Sequence, residues 1–428
     1  AGYSVYNVIS INEDEFFAMY DAEDGNALGR FTKVPPSEVK DKKTLVLACN
    51  GIDYDVRNNI VKFNKNNDEY RITIQDYAAL YNTEDDYQAG LNRLNADIVS
   101  GKIPDILIID DNMPVESYVS KGLFEDLKPY IEKDEGLDIN NFMPNILDAF
   151  SVDGKLYAYP LTASNGYFLF YNSDYLTEED VSSWDNLLAA AQKQGKTVGM
   201  EVSGAWYLYG FFAGAGLEMY GQDDGTNYCN WNATDTKYTG AAVAEAITDI
   251  CKNSAMVNCV NEDAQAFALN GQMIADVNGT WATTGFMEAY GDGYAATKLP
   301  AFTVNGDEVQ MGSFAGYKFV GVNAYSRNTG WAMLLAEYIT SQNSQEAIGV
   351  ATGEGPSNLN AAASDKIASA PALAALAQQS AYADLQRVGN AYWDPAATLG
   401  QALAEGNYTD VQSLLDEAVE GITQPVTN

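Results

Sequence analysis

At 428 residues the chain is too long to fold around one compact core, so two domains are expected. With 24 basic against 59 acidic residues and a net charge of −35, it lacks the cationic surface that nucleic acid or anionic lipid requires, which leaves neutral or cationic ligands. It contains no histidine, which removes His-dependent triads, His–metal sites and imidazole proton shuttles, and no run of about eighteen apolar residues that would span a membrane.

In chain order, SVYNVISI, EFFAMYDA and LGRFTKV come first, separated by acidic and DGN turn signals. They predict a small antiparallel sheet, an N-terminal β extension over residues 1–43, with barely enough strands to stand alone. The stretch KDKKTLVLACNG then reads two ways. A lipoprotein signal ending at Cys49 would need about seven to fifteen apolar residues after the lysines, and only Thr44 to Ala48 qualify. The expectation is therefore a buried strand closed by the turn Asn50-Gly51.

An α/β alternation follows. Val56, Ile60 and Phe63 fall on one helical face, and YRITIQDYA alternates as a strand. A second helix has Thr83 and Asp86 as its cap, Tyr87, Leu91, Leu94 and Ile98 on one face, and Gly101 as its stop. DILIIDD is the third strand, and such a βαβαβ unit implies parallel strands. Asn50, Asp53, Asp110, Asp111 and Asn112 lie at the carboxyl ends of these strands, where open α/β sheets bind ligands. The same residue types also favour turns for local reasons. No GxGxxG or P-loop is present, which argues against nucleotides.

Further on, KLYAYPLTASNGYFLFYN suggests two strand-like runs around polar residues, and SSWDNLLAAAQKQGK a capped amphipathic helix ending at Gly195. Aromatics gather in GAWYLYGFFAGAG, YCNWNATD, VNGTWATTG, SFAGYKFVG and GNAYWDP. There Trp206, Trp281 and Trp393 stand beside Gly, Asn and Pro in turn-like contexts. For one tryptophan, core packing competes evenly with stacking on a sugar face; the set argues for stacking, with amides and carboxylates nearby to hold hydroxyls. Cys49, Cys229, Cys251 and Cys259 form no CxxC pair, so no structural zinc is expected. One disulfide among the last three and free buried thiols remain equally open.

GKLYAYPLTASNGYFLFYNSDYL, SSWDNLLAAAQKQGK, NGQMIADVNGTW, KLPAFTV with MGSFAGYKFVGVN, AEYITSQNSQEA with GPSN, and AYWDPAATLGQAL occur in that order. Together they resemble the maltose/maltooligosaccharide-binding proteins (extracellular solute-binding protein family 1) of bacterial ABC importers, and among these the receptors of Gram-positive gut bacteria. The likeness covers about residues 44–428. It implies an α/β, two-lobed periplasmic-binding-protein-like fold (type II) with crossing hinge strands, added to the short N-terminal β segment. Residues 44–163 and 311–358 would form the first lobe, 164–310 and 359–428 the second.

The resemblance further implies an extracellular receptor, not an enzyme, that captures oligosaccharides by stacking and hinge closure and delivers them to the membrane permease subunits of an ABC importer. α-1,4-Linked maltooligosaccharides are the first expectation. No cofactor or metal and a monomer are implied, held at the cell surface through a lipid-anchored segment upstream of Ala1. Position by position, Trp281 and Trp393 match the family's stacking aromatics, and Trp206 or Tyr207 the aromatic of the second-lobe loop. Asn165 matches a polar sugar contact, Tyr167 lies close by, Tyr317 falls on a crossing segment, and Trp184 matches a packing position. The first lobe departs from the pattern. Enteric members carry a Trp and an Asp-Arg pair after PDI where this chain has ILIIDDNM, which puts maltose itself in question. Asp53 and Asp110 are the first-lobe candidates. Other readings remain: a receptor for a different oligosaccharide, a glycosidase with two carboxylates about 5–9.5 Å apart, or a surface adhesin.

Overall fold

The structure, a computed structural model, describes residues 5–425 apart from 23–24, 39, 53, 79–85, 111–112, 114, 134–137, 143–145, 148–149 and 223–224. The strand Lys43–Cys49 pairs in parallel with Tyr70–Asp76 on one side and Ile106–Ile109 on the other, with the helices Tyr54–Asn66 and Asp86–Val99 between them in sequence. The parallel βαβαβ unit is thus present. Cys49 closes its strand fully buried, as an interior strand requires. Val56 and Ile60 are 1 % exposed on the inner face of their helix. Thr83, the proposed cap, lies outside the described residues.

An eleven-stranded sheet runs through the molecule, and two of its strands carry the architecture. Tyr159–Asn172 and Ser313–Val322 pair antiparallel from Val320↔Tyr159 to Ala315↔Gly166. Each passes from one apolar core into another. Tyr159 and Leu161 pack with Leu45, Leu94, Phe319 and Leu335 in the first core. Farther along, Tyr167, Leu169 and Tyr171 face a second core with Trp184, Phe211, Trp231 and Leu399, while Phe168 and Phe170 on the opposite face join Phe286 and Leu376. That alternation is the period of two of a strand covered on both faces. Two α/β lobes result, joined by these strands.

KLYAYPLTASNGYFLFYN therefore forms one continuous 14-residue strand after a short Lys155–Leu156 strand, where two similar runs were expected. Its polar middle, Thr162 to Asn165, does not break it: Thr162, Ala163 and Asn165 pair with the second crossing strand, and Thr162 and Ala163 also with Gly355–Pro356 on the other side.

The helix Trp184–Gln194 keeps its predicted ends. The Ser183 hydroxyl accepts a hydrogen bond from the Asn186 amide, and Gly195 takes the left-handed conformation at φ 63°. Trp184 is fully buried and its indole N–H donates to the Met311 sulfur at 3.1 Å. GAWYLYGFFAGAG, with its glycines, reads as loop in sequence but forms the helix Ala205–Gly214, seven of whose ten residues are buried. A helix apolar all round is stable when packed on every side, and loop-like composition then loses its meaning.

Val5–Asn12, Glu15–Ala22 and Gly25–Thr32 form a three-stranded antiparallel meander in which Phe16 and Phe31 stack at 5.0 Å. None of the three apolar cores includes a residue before Leu45. None of the four cysteines is joined in a disulfide. Among the described residues no helix is long and apolar enough to cross a membrane.

Candidate functional site

Two parallel strands of the second lobe, Thr197–Gly199 and Met273–Gly279, run side by side with Gly199 opposite Asp276. Their carboxyl ends deliver the chain into the two loops that carry the aromatics, the arrangement by which α/β sheets build ligand sites. After the first comes the helix Ala205–Gly214, with Trp206 and Tyr207 in its opening turn; after the second, the turn Thr280–Ala282 with Trp281. The neighbouring crossing strand sets Tyr167 opposite Gly279. Its Asn165 backbone pairs with Gly316 of the second crossing strand. Trp393 begins the helix Trp393–Glu405.

Phe314 connects these pieces. Its ring lies 5.3 Å from Trp206, 6.5 Å from Trp393, 5.8 Å from Tyr392 and stacked at 3.7 Å on Tyr209. Trp206 in turn meets Tyr167 edge-on at 5.8 Å, and Tyr167 meets Tyr207 at 5.0 Å. The Trp206 indole N–H is shielded from solvent and finds no acceptor among the described residues.

Trp281 is set apart from this group and stands 48 % exposed. Its indole folds back over Gly279, where a Cβ would fall 2.2 Å from the ring. The glycine of NGTW is thus required by the ring's position rather than by backbone conformation.

The sequence candidates divide by exposure. Trp281 offers an open face, and Trp206 and Trp393 are partly buried. Tyr167, Tyr207 and Tyr317 are enclosed, at 0 %, 6 % and 1 %; Tyr167 packs against Trp206 and Tyr207, whereas Tyr317 lies in the first core against Phe319. The Tyr167 hydroxyl lies against the backbone of Gly210 and Phe314, and burial raises its phenol above the ordinary range, so it stays neutral. Asp110 follows Ile106–Ile109, is half-buried, and its charge helps raise the Tyr118 phenol, after burial. Asp53 and the side chain of Asn165 lie outside what is described.

Close enough to Tyr207 to raise its phenol, after burial, lie two acidic residues that the sequence reading passed over, Asp276 and Glu201. Asp276 is 1 % exposed, accepts a hydrogen bond from the Asn278 amide at 2.9 Å, and is pushed up to about 7, chiefly by burial and further by Glu201. Glu201 is also raised, by burial and then by Glu262. The signal was a lone aspartate inside the apolar run MIADV. Phe314 gave none, since its role depends on four partners distant in sequence. A separate cavity of about 370 Å³, bordered by Ile98, Val99, Ile103 and Leu123, holds none of the tryptophans.

The site lies in a fold already known in solved proteins. The maltodextrin-binding protein MalE1 of L. casei BL23, solved without ligand, superposes with a TM-score of 0.70 at 22 % identity, covering 90 % of this chain and 100 % of its own. MalE of Listeria monocytogenes in complex with maltose does so with 0.66 at 23 %, covering 89 % and 97 %. In sequence, the galactooligosaccharide-binding protein of Bacillus subtilis is 25 % identical over 358 residues, 79 % of this chain and 80 % of that protein. A maltooligosaccharide ABC transporter solute-binding lipoprotein of Streptococcus pneumoniae is 23 % identical over 391 residues, 82 % and 87 %. The family pattern described as bacterial extracellular solute-binding protein matches residues 60–375, most of the chain, and the protein accordingly belongs to that family.

Proposed function

We propose that the protein is an extracellular receptor that captures oligosaccharides between its lobes and delivers them to an ABC importer, with α-1,4-linked maltooligosaccharides as the first ligand class. The observation that supports this reading is the convergence of Trp206 and Trp393 on Phe314 of the second crossing strand, with the exposed Trp281 on the turn that follows Met273–Gly279. Flat aromatic faces suit the CH faces of sugar rings, and each such contact contributes on the order of 1 kcal/mol or more. In this reading Asp53 and Asp110 serve the first lobe, Asn165 the junction, and Tyr167, Tyr207 and Tyr317 back the site. The protein acts as a monomer that engages permease subunits and is held at the surface by lipid; the word lipoprotein in the name of the pneumococcal relative supports the anchor.

A second reading, a receptor for galactooligosaccharides, is favoured by the named ligand of the Bacillus relative and by the departure after Ile109. Titration calorimetry with maltotetraose, a galactooligosaccharide, a cellooligosaccharide and a xylooligosaccharide decides between them. Maltotetraose is expected to bind most tightly, and to be recovered unhydrolysed. Tightest binding of the galactooligosaccharide replaces the ligand class; released glucose or shorter products remove the receptor reading in favour of an enzyme.

A further inference from the structure

Where the crossing strands change core, their pairing is irregular. The register between Ser313–Val322 and Tyr159–Asn172 shifts between Gly316 and Tyr317 and again between Lys318 and Phe319. Lys318, between the two shifts, lies opposite Thr162. On the other side of Thr162 sits Pro356 of the short strand Gly355–Pro356, and Glu354 immediately precedes it. The strands flanking Thr162 are thus about 10 Å apart, twice the usual spacing. Across that distance the Lys318 ammonium donates to the Glu354 carboxylate at 3.3 Å, with the two side chains only 19 % and 17 % exposed. The Thr162 hydroxyl in the strand between them is shielded from solvent and finds no partner among the described residues. One residue before Glu354, Gly353 adopts φ 74°, and a Cβ there would touch the Cβ of Thr280 at 4.0 Å. Thr280 is the residue that precedes Trp281.

Outward from the irregular part of the junction, these neighbours lead across the strand to Gly353, from which an added side-chain carbon would just reach Thr280, beside the exposed ring of Trp281. We propose that the Lys318–Glu354 ion pair is a positioning device for ligand capture: it straps the first crossing strand and holds the Gly353–Glu354 turn against the Trp281 loop. The inference rests on the receptor reading above. A half-buried pair suits the task. Partial desolvation makes it stronger and more directional than a surface pair, so removal of either charge weakens the hold on the turn.

The test uses Lys318→Met, Glu354→Gln and the charge swap Lys318→Glu with Glu354→Lys, in the full chain. Affinity for maltotetraose is measured by calorimetry, the ligand-induced change in radius of gyration by small-angle scattering, and folding by thermal unfolding. Each single variant is expected to bind about tenfold more weakly and to show a smaller contraction, a coupling of ordinary size. The swap is expected to recover most of both, which loss of packing would not allow. Combined with Trp281→Ala, Lys318→Met should add much less than it does alone, because both act through one loop. Folded single variants with wild-type affinity overturn the proposal, as does a folded swap that binds as weakly as the singles; if the singles do not fold, the swap alone decides. Absence of binding and contraction in the wild-type protein removes the receptor reading itself, and is seen before any variant is made.

Discussion

With 1 % exposure and a single amide donor, the Asp276 carboxylate holds a charge only at a cost, and that cost has a pH signature. An unfolded aspartate titrates near 3.8, and Asp276 in the fold at about 7. Well below the unfolded value both states keep the proton and nothing is lost. As pH rises to 7 the unfolded chain releases it while the fold retains it, so stability falls, by roughly 4 kcal/mol in total. Asp276→Asn is expected to raise Tm clearly at pH 8 and little at pH 4, measured by thermal unfolding across that range; a difference independent of pH would show that the carboxylate is not the cause. Trp281 belongs to the opposite regime. Its ring is half exposed, so Trp281→Ala should weaken sugar binding about tenfold or more with Tm nearly unchanged. Gly279→Ala places a methyl where the indole lies, and should give the same loss of binding by displacing the ring. Normal binding in both variants would place the sugar elsewhere.

The helix Ala205–Gly214 shows how an element positions a site. Its apolar sequence offers no polar face, and close backbone approach fixes it instead. The Gly312 amide donates to the Gly210 carbonyl at 2.8 Å, and a Cβ on Gly210 would fall 2.4 Å from the Gly312 carbonyl oxygen; Gly214 meets Gln310 in the same way. These glycines let the helix lie directly against the chain entering the second crossing strand, which brings Trp206 over Phe314. Because the obstructing atoms are backbone, Gly210→Ala should cost on the order of 1–3 kcal/mol, read as a lower midpoint in urea, and should weaken binding by shifting Trp206. Unchanged stability would mean that the strand and helix can separate freely.

At the scale of the molecule, two lobes with separate apolar cores, joined by two long strands, permit one lobe to rotate on the other at little cost within each core. A ligand that touches both lobes then selects the closed arrangement, by as much as it prefers that state. Small-angle scattering with and without saturating maltotetraose is expected to show a fall in radius of gyration. Measured binding without a fall would leave a sugar-binding protein but remove hinge closure.

Much of the fold was legible in the sequence because local chemistry fixes it. The apolar run before Asn50-Gly51 is too short for a lipoprotein signal and forms the interior strand expected of it, and Ser183 and Gly195 bracket their helix as local capping chemistry predicts. The aromatic motifs, in their order, carried the family. What the sequence could not show was which polar or glycine-rich segments would be enclosed. It gave no reason to expect that TASN would continue a strand, that GAWYLYGFF would be a packed helix, or that three tyrosines would turn inward. Those outcomes depend on neighbours more than a hundred residues away, which supply the missing hydrogen bonds and remove water. The acidic pair near Tyr207, the Phe314 hub and the Lys318–Glu354 pair exist only once distant segments have come together. Periodicity records a residue's own backbone, whereas burial and charge coupling belong to the assembled chain.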